Sequence, residues 1–228
     1  MYNRPMQELT TIQSIAVWAL PVLFAITVHE VAHGWVARRL GDPTAYMLGR
    51  LTLNPLRHID PVGAVAVPLA LLVMSSLMPG GGFVFGWAKP VPVAWRNLRN
   101  PKRDMALVAA AGPLANLLMA LFWAAVIKLA YFMPGSLLWA AKPMVYMGAA
   151  GITINLVLMV LNLLPLPPLD GGRVVTGILP GRLSWQFSRI EPYGFMILVG
   201  LLLLGGLGSI IGPPIQWFEA MIIRGFGL

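Results

Sequence analysis

Four apolar runs, each long enough to cross the hydrocarbon core of a bilayer, constrain this chain more than any other feature of its sequence. A helix needs about 20 residues to cross that core, and the runs occupy residues 12–37, 104–132, 143–165 and 192–212. Hydrophobic residues make up 58% of the chain and charged residues only 11%. A water-soluble core does not absorb this composition, which predicts an integral membrane protein.

The same pattern predicts one all-α membrane domain over residues 1–228, a bundle of about four to six transmembrane helices. No internal repeat, low-complexity tract or linker divides the sequence. A shorter run, 61–79, has Pro68 inside it and proline at both ends, so it either crosses the membrane or enters and returns. The stretch 213–228 mixes large apolar residues with Glu219 and Arg224, a composition typical of a helix lying in the membrane interface.

Positive charge favours the re-entrant interpretation of 61–79. The net charge is +8, but the basic residues lie in short loops without the continuous patch that nucleic acid requires. Most of them fall in 38–60, 80–104 and 166–191. Because cytoplasmic loops carry the excess of Lys and Arg, a segment that dips and returns places all three loops on the cytoplasmic side. We therefore predict a multi-pass protein of the cell membrane with a basic cytoplasmic face.

The first apolar run contains the motif HEVAH at residues 29–33. Residues four apart share one face of a helix, so His29 and His33 can both reach a single ion. Glu30 follows the first histidine, where it can act on a metal-activated water without being a ligand. This is the HExxH arrangement of zinc hydrolases. The alternative is that the two histidines form interhelical hydrogen bonds with Glu30 as their partner. The metal-binding interpretation is favoured, because ionisable groups inside membranes are usually functional.

The most plausible third metal ligand is Asp170. It follows a proline-broken stretch at the end of the third long run and precedes Gly171 and Gly172. Non-helical backbone at membrane depth survives only inside protein or beside a water-filled cavity, which makes Asp170 a candidate ligand in such a cavity. The same residues also suit a simple helix stop and turn. A re-entrant 61–79 brings Asp170 out on the same side as His33, at a similar depth. Because the chain has no cysteine, His, Asp or Glu must hold any transition metal.

Three motifs together resemble the site-2 protease family of intramembrane zinc metalloproteases. They are HEVAH at 29–33, AGPLAN at 111–116 and NLLPLPPLDGG at 162–172, and they touch the three central spans. The combination is far more specific than HExxH alone. The chain has no room for an inserted PDZ module and no appended nucleotide-sensing domain, so it is similar to the compact bacterial or archaeal members.

The resemblance implies a role for each residue that matches a family motif. His29, His33 and Asp170 are implied as ligands of one Zn²⁺, with Glu30 as the general base. Asn162 is implied to position the substrate backbone or to stabilise the oxyanion. The implied reaction is hydrolysis of a peptide bond in or near the transmembrane segment of a membrane protein, with the active site toward the cytoplasm.

Several interpretations stay open at this point. Residues 83–95 suit either a membrane-associated β-hairpin whose edge strand pairs with an unwound substrate or an ordinary cytoplasmic loop. Gly112 and Asn116 fit close helix packing better than catalysis, and His58 fits a solvated or capping position. A metal transporter or metal-sensing membrane protein, or an inactive scaffold, are the competing functions. The pattern does not encode the substrate or the oligomeric state.

Overall fold

The computed structural model describes residues 9–58, 60, 63 and 89–228. Within these residues the regular structure is entirely helical, which confirms the all-α class. The α-helices, in chain order, are α1 (Thr11–Arg39), α2 (Thr44–Met47), α3 (Pro101–Tyr131), α4 (Leu138–Asn162), α5 (Asp170–Ile178), α6 (Gly181–Ser188), α7 (Glu191–Leu203) and α8 (Gly206–Phe226).

Three of these helices, α1, α3 and α4, are long and apolar enough to cross a membrane. The predicted span 192–212 is wrong as a single helix, because α7 and α8 meet at a bend of 86°. The 13 residues of α7 reach only about 20 Å, which is less than the roughly 30 Å hydrocarbon core. The described residues therefore contain three candidate spans, or four if the bent pair forms one broken span.

Two predicted segments lie wholly or partly outside the described residues. The run 61–79 is not described apart from Gly63, so its re-entrant path stays a prediction. Residues 83–88 are likewise outside, and 89–94 have no regular secondary structure. The stretch 213–228 does form a helix, as the end of α8, and that helix packs on α4 and α3.

The first helix begins and ends at clear local signals. Thr10 and Gln13 form a reciprocal capping box at its start, which satisfies two backbone N–H groups that lack a helical partner. Arg38 and Arg39 lie in its last turn, where cations interact favourably with the helix dipole. The HEVAH motif therefore lies about two turns before the basic end of α1.

Close contact between α3 and α4 forms the centre of the bundle. A Cβ atom at Gly151 of α4 would lie 2.2 Å from the Trp123 ring of α3, so only glycine allows this approach. Ala120 and Ala124 of α3 are fully buried in the same contact. Small residues of this kind let membrane helices approach closely. The pairing directs the buried face of α3 toward both α1 and α4.

The short helix α5 is held against the loop that precedes it. A Cβ at Gly171 would lie 2.2 Å from the Leu163 carbonyl oxygen, and one at Gly172 would lie 2.3 Å from Pro167 N. The Pro167–Pro168 peptide bond is cis. The paired glycines thus let the chain fold back tightly after α4, and Asp170 becomes the first residue of a helix that packs on α3.

Candidate metal centre

Side chains from α1 and α5 converge at one buried point. His29 Nε2 and His33 Nε2 are 3.0 Å apart, and Asp170 Oδ2 lies 3.2 Å from each of them. All three residues are at most 8% exposed. They are the one group of His, Asp and Glu side chains within the described part of the chain that could hold a metal ion.

Hydrogen bonds on the far side of each imidazole determine which nitrogen faces this point. His33 Nδ1 lies 2.7 Å from the Val108 carbonyl oxygen, and a carbonyl can only accept, so Nδ1 is the donor. His29 Nδ1 lies 2.6 Å from Asn116 Oδ1 and donates to it. Both neutral rings therefore direct an Nε2 lone pair toward Asp170.

Two imidazoles that present Nε2 lone pairs to a carboxylate form a donor set that suits a cation. Asp170 Oδ2 is buried and has no hydrogen-bond partner; the two Nε2 atoms lie 3.2 Å from it, and with each ring's proton on Nδ1 they do not donate to it. A tetrahedral zinc ion about 2.0–2.1 Å from its ligands separates their atoms by roughly 3.3 Å, close to the distances found here. The donor set of two imidazoles and one carboxylate also suits zinc with one coordination position left open. The residues therefore fit the ion.

Glycine at position 112 keeps the volume beside the histidines open. A Cβ there would lie 2.4 Å from His33 Nε2 and 2.6 Å from His29 Nε2. Any larger side chain would press on both Nε2 atoms, the atoms that face the candidate ion site. Gly112 therefore contributes to the candidate site, whereas the sequence favoured a packing role.

Glu30 is held by the chain segment that follows the undescribed region. Its Oε2 accepts a hydrogen bond of 2.7 Å from Val91 N. Residues 89–94 have no regular secondary structure, and Lys89 N donates to the His58 carbonyl oxygen at 2.9 Å. The segment suggested as an edge strand thus lies against the candidate general base, although its described part forms no strand.

Asp42 anchors the other end of this segment. Its carboxylate accepts hydrogen bonds from Ala94 N, Asn97 Nδ2 and Thr44 N. Burial raises the pKa of the Asp42 carboxyl, but the hydrogen bonds from Thr44, Asn97 and Ala94 outweigh that effect and hold the pKa below its ordinary value. Asp42 was not singled out from the sequence, since a lone Asp after a helix resembles an ordinary turn residue.

Other residues named from the sequence lie in different surroundings. Asn162 is the last residue of α4 and donates from Nδ2 to the Leu158 carbonyl oxygen at 2.9 Å. His58 caps a turn of 3-10 helix, as one interpretation proposed, but it is 2% exposed and not solvated. Asn116 was expected to take part in helix packing, with a hydrogen bond across a helix interface, rather than in catalysis; it does form such a bond, and its partner is His29. Its spacing of four from Gly112 places both on one face of α3, which is the signal that could have predicted it.

A helical membrane protein in which the two histidines of an HExxH motif meet an aspartate at one buried point has the features of a membrane metallopeptidase. The chain belongs to peptidase family M50, whose profile matches residues 17–205. This family membership confirms the resemblance to site-2 proteases and makes the chain a multi-pass zinc metalloprotease. It also favours hydrolysis over metal transport or sensing.

Curated relatives from bacteria and archaea agree with this assignment. YwhC from Bacillus subtilis is 37% identical over 86% of this chain and 83% of its own length. Rip2 from Mycolicibacterium smegmatis is 28% identical over 86% of this chain and 70% of its own length. MJ0611 from Methanocaldococcus jannaschii is 41% identical over 40% of this chain and 41% of its own. All three are described as candidate zinc metalloproteases. No solved structure matches the chain at a significant level.

Proposed function

We propose that this protein is an intramembrane endopeptidase that hydrolyses a peptide bond within or near the transmembrane segment of a membrane protein. The observation that carries the proposal is the convergence of His29, His33 and Asp170, with Nε2, Nε2 and Oδ2 within 3.2 Å of one another. The site lies in a bundle whose outer surface is rich in exposed large apolar side chains, such as Leu118 and Phe122 on α3. A lipid bilayer suits that surface, and a substrate must reach the site from it.

We assign the roles from the arrangement of the candidate ligands and from the HExxH motif. His29, His33 and Asp170 would hold the zinc ion. When bound, zinc supplies Lewis-acid chemistry that lowers the pKa of water to about 7 and polarises a carbonyl group. Glu30 accepts a proton and passes it to the leaving nitrogen. Because Val91 N–H occupies Glu30 Oε2, we assign the proton transfer to Oε1.

We place the active site on the cytoplasmic side. Arg38 and Arg39 end the helix that carries the histidines, and Lys102 of α3 donates to the Leu179 carbonyl oxygen after α5. Arg173 of α5 lies over the Trp95 ring. These contacts gather basic residues at the end of the bundle that carries the candidate ligands, and the positive-inside rule assigns that end to the cytoplasm.

The substrate is proposed to be a membrane-spanning protein whose helix unwinds at the site. Asn162 ends α4 shortly before the loop that leads to Asp170, and we assign it to the substrate backbone. The segment 89–94 contacts Glu30 through the Val91 N–H group. One domain, residues 1–228, carries all of these elements.

Substitution of Glu30 by Gln tests the proposal. The amide oxygen of the introduced glutamine can still accept from Val91 N–H, so the local structure is kept while the base is lost. General-base catalysis contributes about 10²–10⁴-fold, and we expect cleavage of a single-pass test protein to fall by that factor with zinc content unchanged. Glu191→Gln is the matched control, because it removes an exposed carboxylate at the start of α7 and should cleave normally. Normal cleavage by the Glu30→Gln variant would refute the assigned role.

A further inference from the structure

Behind His29, a chain of buried amide groups connects three helices. Asn116 Nδ2 of α3 donates to Asn155 Oδ1 of α4 at 2.9 Å and to the Ala25 carbonyl oxygen of α1 at 3.2 Å. Asn155 Nδ2 donates to the Gly151 carbonyl oxygen at 2.8 Å. Both asparagine side chains are fully buried. Amides in an apolar interior are costly unless hydrogen-bonded, so their position in two membrane helices needs a reason.

The direction of every hydrogen bond in this chain is determined from its far end. The Gly151 carbonyl oxygen can only accept, so Asn155 must present its NH₂ group there and its Oδ1 toward Asn116. Asn116 must then direct its NH₂ group toward Asn155 and Ala25. Its Oδ1 is left facing His29 Nδ1 at 2.6 Å. If the Asn116 amide were flipped, its oxygen would face the Ala25 carbonyl oxygen and Asn155 Oδ1, and neither of these can donate a hydrogen bond.

The consequence reaches the metal centre. Because Asn116 Oδ1 can only accept, His29 carries its proton on Nδ1 and exposes the Nε2 lone pair. A metal ion binds only that lone pair, and outer hydrogen-bond partners of ligating histidines determine both tautomer and ring orientation. His33 needs no such chain, since a backbone carbonyl already accepts from its Nδ1.

We propose that Asn155 is a positioning residue of the zinc site: acting through Asn116, it holds His29 in the tautomer that binds the metal. Asn155 does not contact the candidate ligands itself. This inference rests on the proposed metal site and extends it into α4. It assigns to Asn155 a function that helix packing alone does not require.

A double-mutant cycle on zinc affinity tests the inference. Zinc dissociation constants are measured in detergent, by competition with a chelator, for the full chain and for Asn155→Leu, Asn116→Leu and the double variant. Loss of an outer-shell partner lowers metal affinity by about 10–100-fold. We expect a loss within that range for Asn116→Leu and a loss near its lower end, about tenfold, for Asn155→Leu. Leu156→Ala is the control, because it removes a fully buried neighbour on α4 outside the amide chain and should keep the wild-type affinity.

The double variant separates positioning from packing. If Asn155 acts through Asn116, the double variant loses no more affinity than Asn116→Leu alone, since residues in one network are non-additive. Independent, additive losses overturn the inference, as does wild-type affinity in Asn155→Leu.

A spectroscopic measurement adds a readout that packing does not affect. The chain has only three histidines, so ¹⁵N spectra of labelled rings resolve the His29 tautomer in the chelator-treated full chain. We expect the Nδ1–H form in the wild type and a mixture in Asn155→Leu. An unchanged spectrum overturns the inference. Failure of the wild-type chain to bind zinc would instead refute the proposed metal site.

Discussion

Replacement of Gly112 by Ala is the sharpest structural perturbation of the proposed site. The added Cβ would lie 2.4 Å from His33 Nε2 and 2.6 Å from His29 Nε2. Unstrained contacts of this kind begin near 3.4 Å, so both rings would have to retreat by roughly 0.8–1.0 Å to restore ordinary van der Waals contact. Neither ring is free to do so, because Asn116 and the Val108 carbonyl hold the two Nδ1 atoms.

A displacement of that size exceeds what a zinc site tolerates. Ligand distances in such sites stay within about 0.2 Å of their normal values. In catalysis, a misplacement of about 1 Å lowers the reaction rate on the order of 10²-fold. We therefore expect zinc affinity to fall by about 100-fold or more, which corresponds to about 2.8 kcal/mol. Cleavage should fall in parallel at limiting zinc.

The assay is chelator competition on purified protein, with thermal unfolding followed in the same samples. Gly148→Ala is the matched control, because a Cβ there would lie 2.3 Å from the Ile127 side chain in the α3–α4 contact. The Gly148→Ala variant should lose thermal stability and keep its zinc affinity. The Gly112→Ala variant should lose zinc affinity and keep its thermal stability. Wild-type zinc affinity in Gly112→Ala would refute the argument that His29 and His33 jointly hold the ion.

Two further predictions concern the metal and the Asp42 anchor. Treatment with a zinc chelator should abolish cleavage, and added Zn²⁺ but not Mg²⁺ should restore it. The reason is that two imidazoles with one carboxylate favour the softer ion. Cleavage that survives complete zinc removal would contradict the assignment. Asp42→Asn should lower stability by about 1.5–3 kcal/mol at neutral pH, the contribution typical of a hydrogen bond to a charged group. Because the folded-state pKa of Asp42 is lowered, its stabilisation is complete above the ordinary value of about 3.9 and is lost as pH falls through the folded-state pKa. Thermal unfolding between pH 6 and pH 3 should therefore show the two proteins converging in acid, and parallel curves would contradict the role of the charge.

Much of the fold follows from local sequence pattern. The all-α membrane class came from long apolar runs, and the helical period alone places His29 and His33 on one face. The bend between α7 and α8 was missed because the high hydropathy of 192–212 predicts one continuous span, although Gly205 and Gly206 mark a possible break; the φ of Gly205 is +72°. Hydropathy measures transfer into lipid and is insensitive to backbone conformation.

Local sequence pattern is enough to predict a membrane protein, two imidazoles and a carboxylate in one apolar helix, and an Asp-Gly-Gly turn after a proline-broken stretch. The partners that surround those groups are apparent only from the packing of the helices. Asn116 meets His29 across 87 residues of chain, and Val91 meets Glu30 across 61. Such contacts depend on how closely helices pack and on the direction in which each amide can donate, and neither property has a local signature in the sequence.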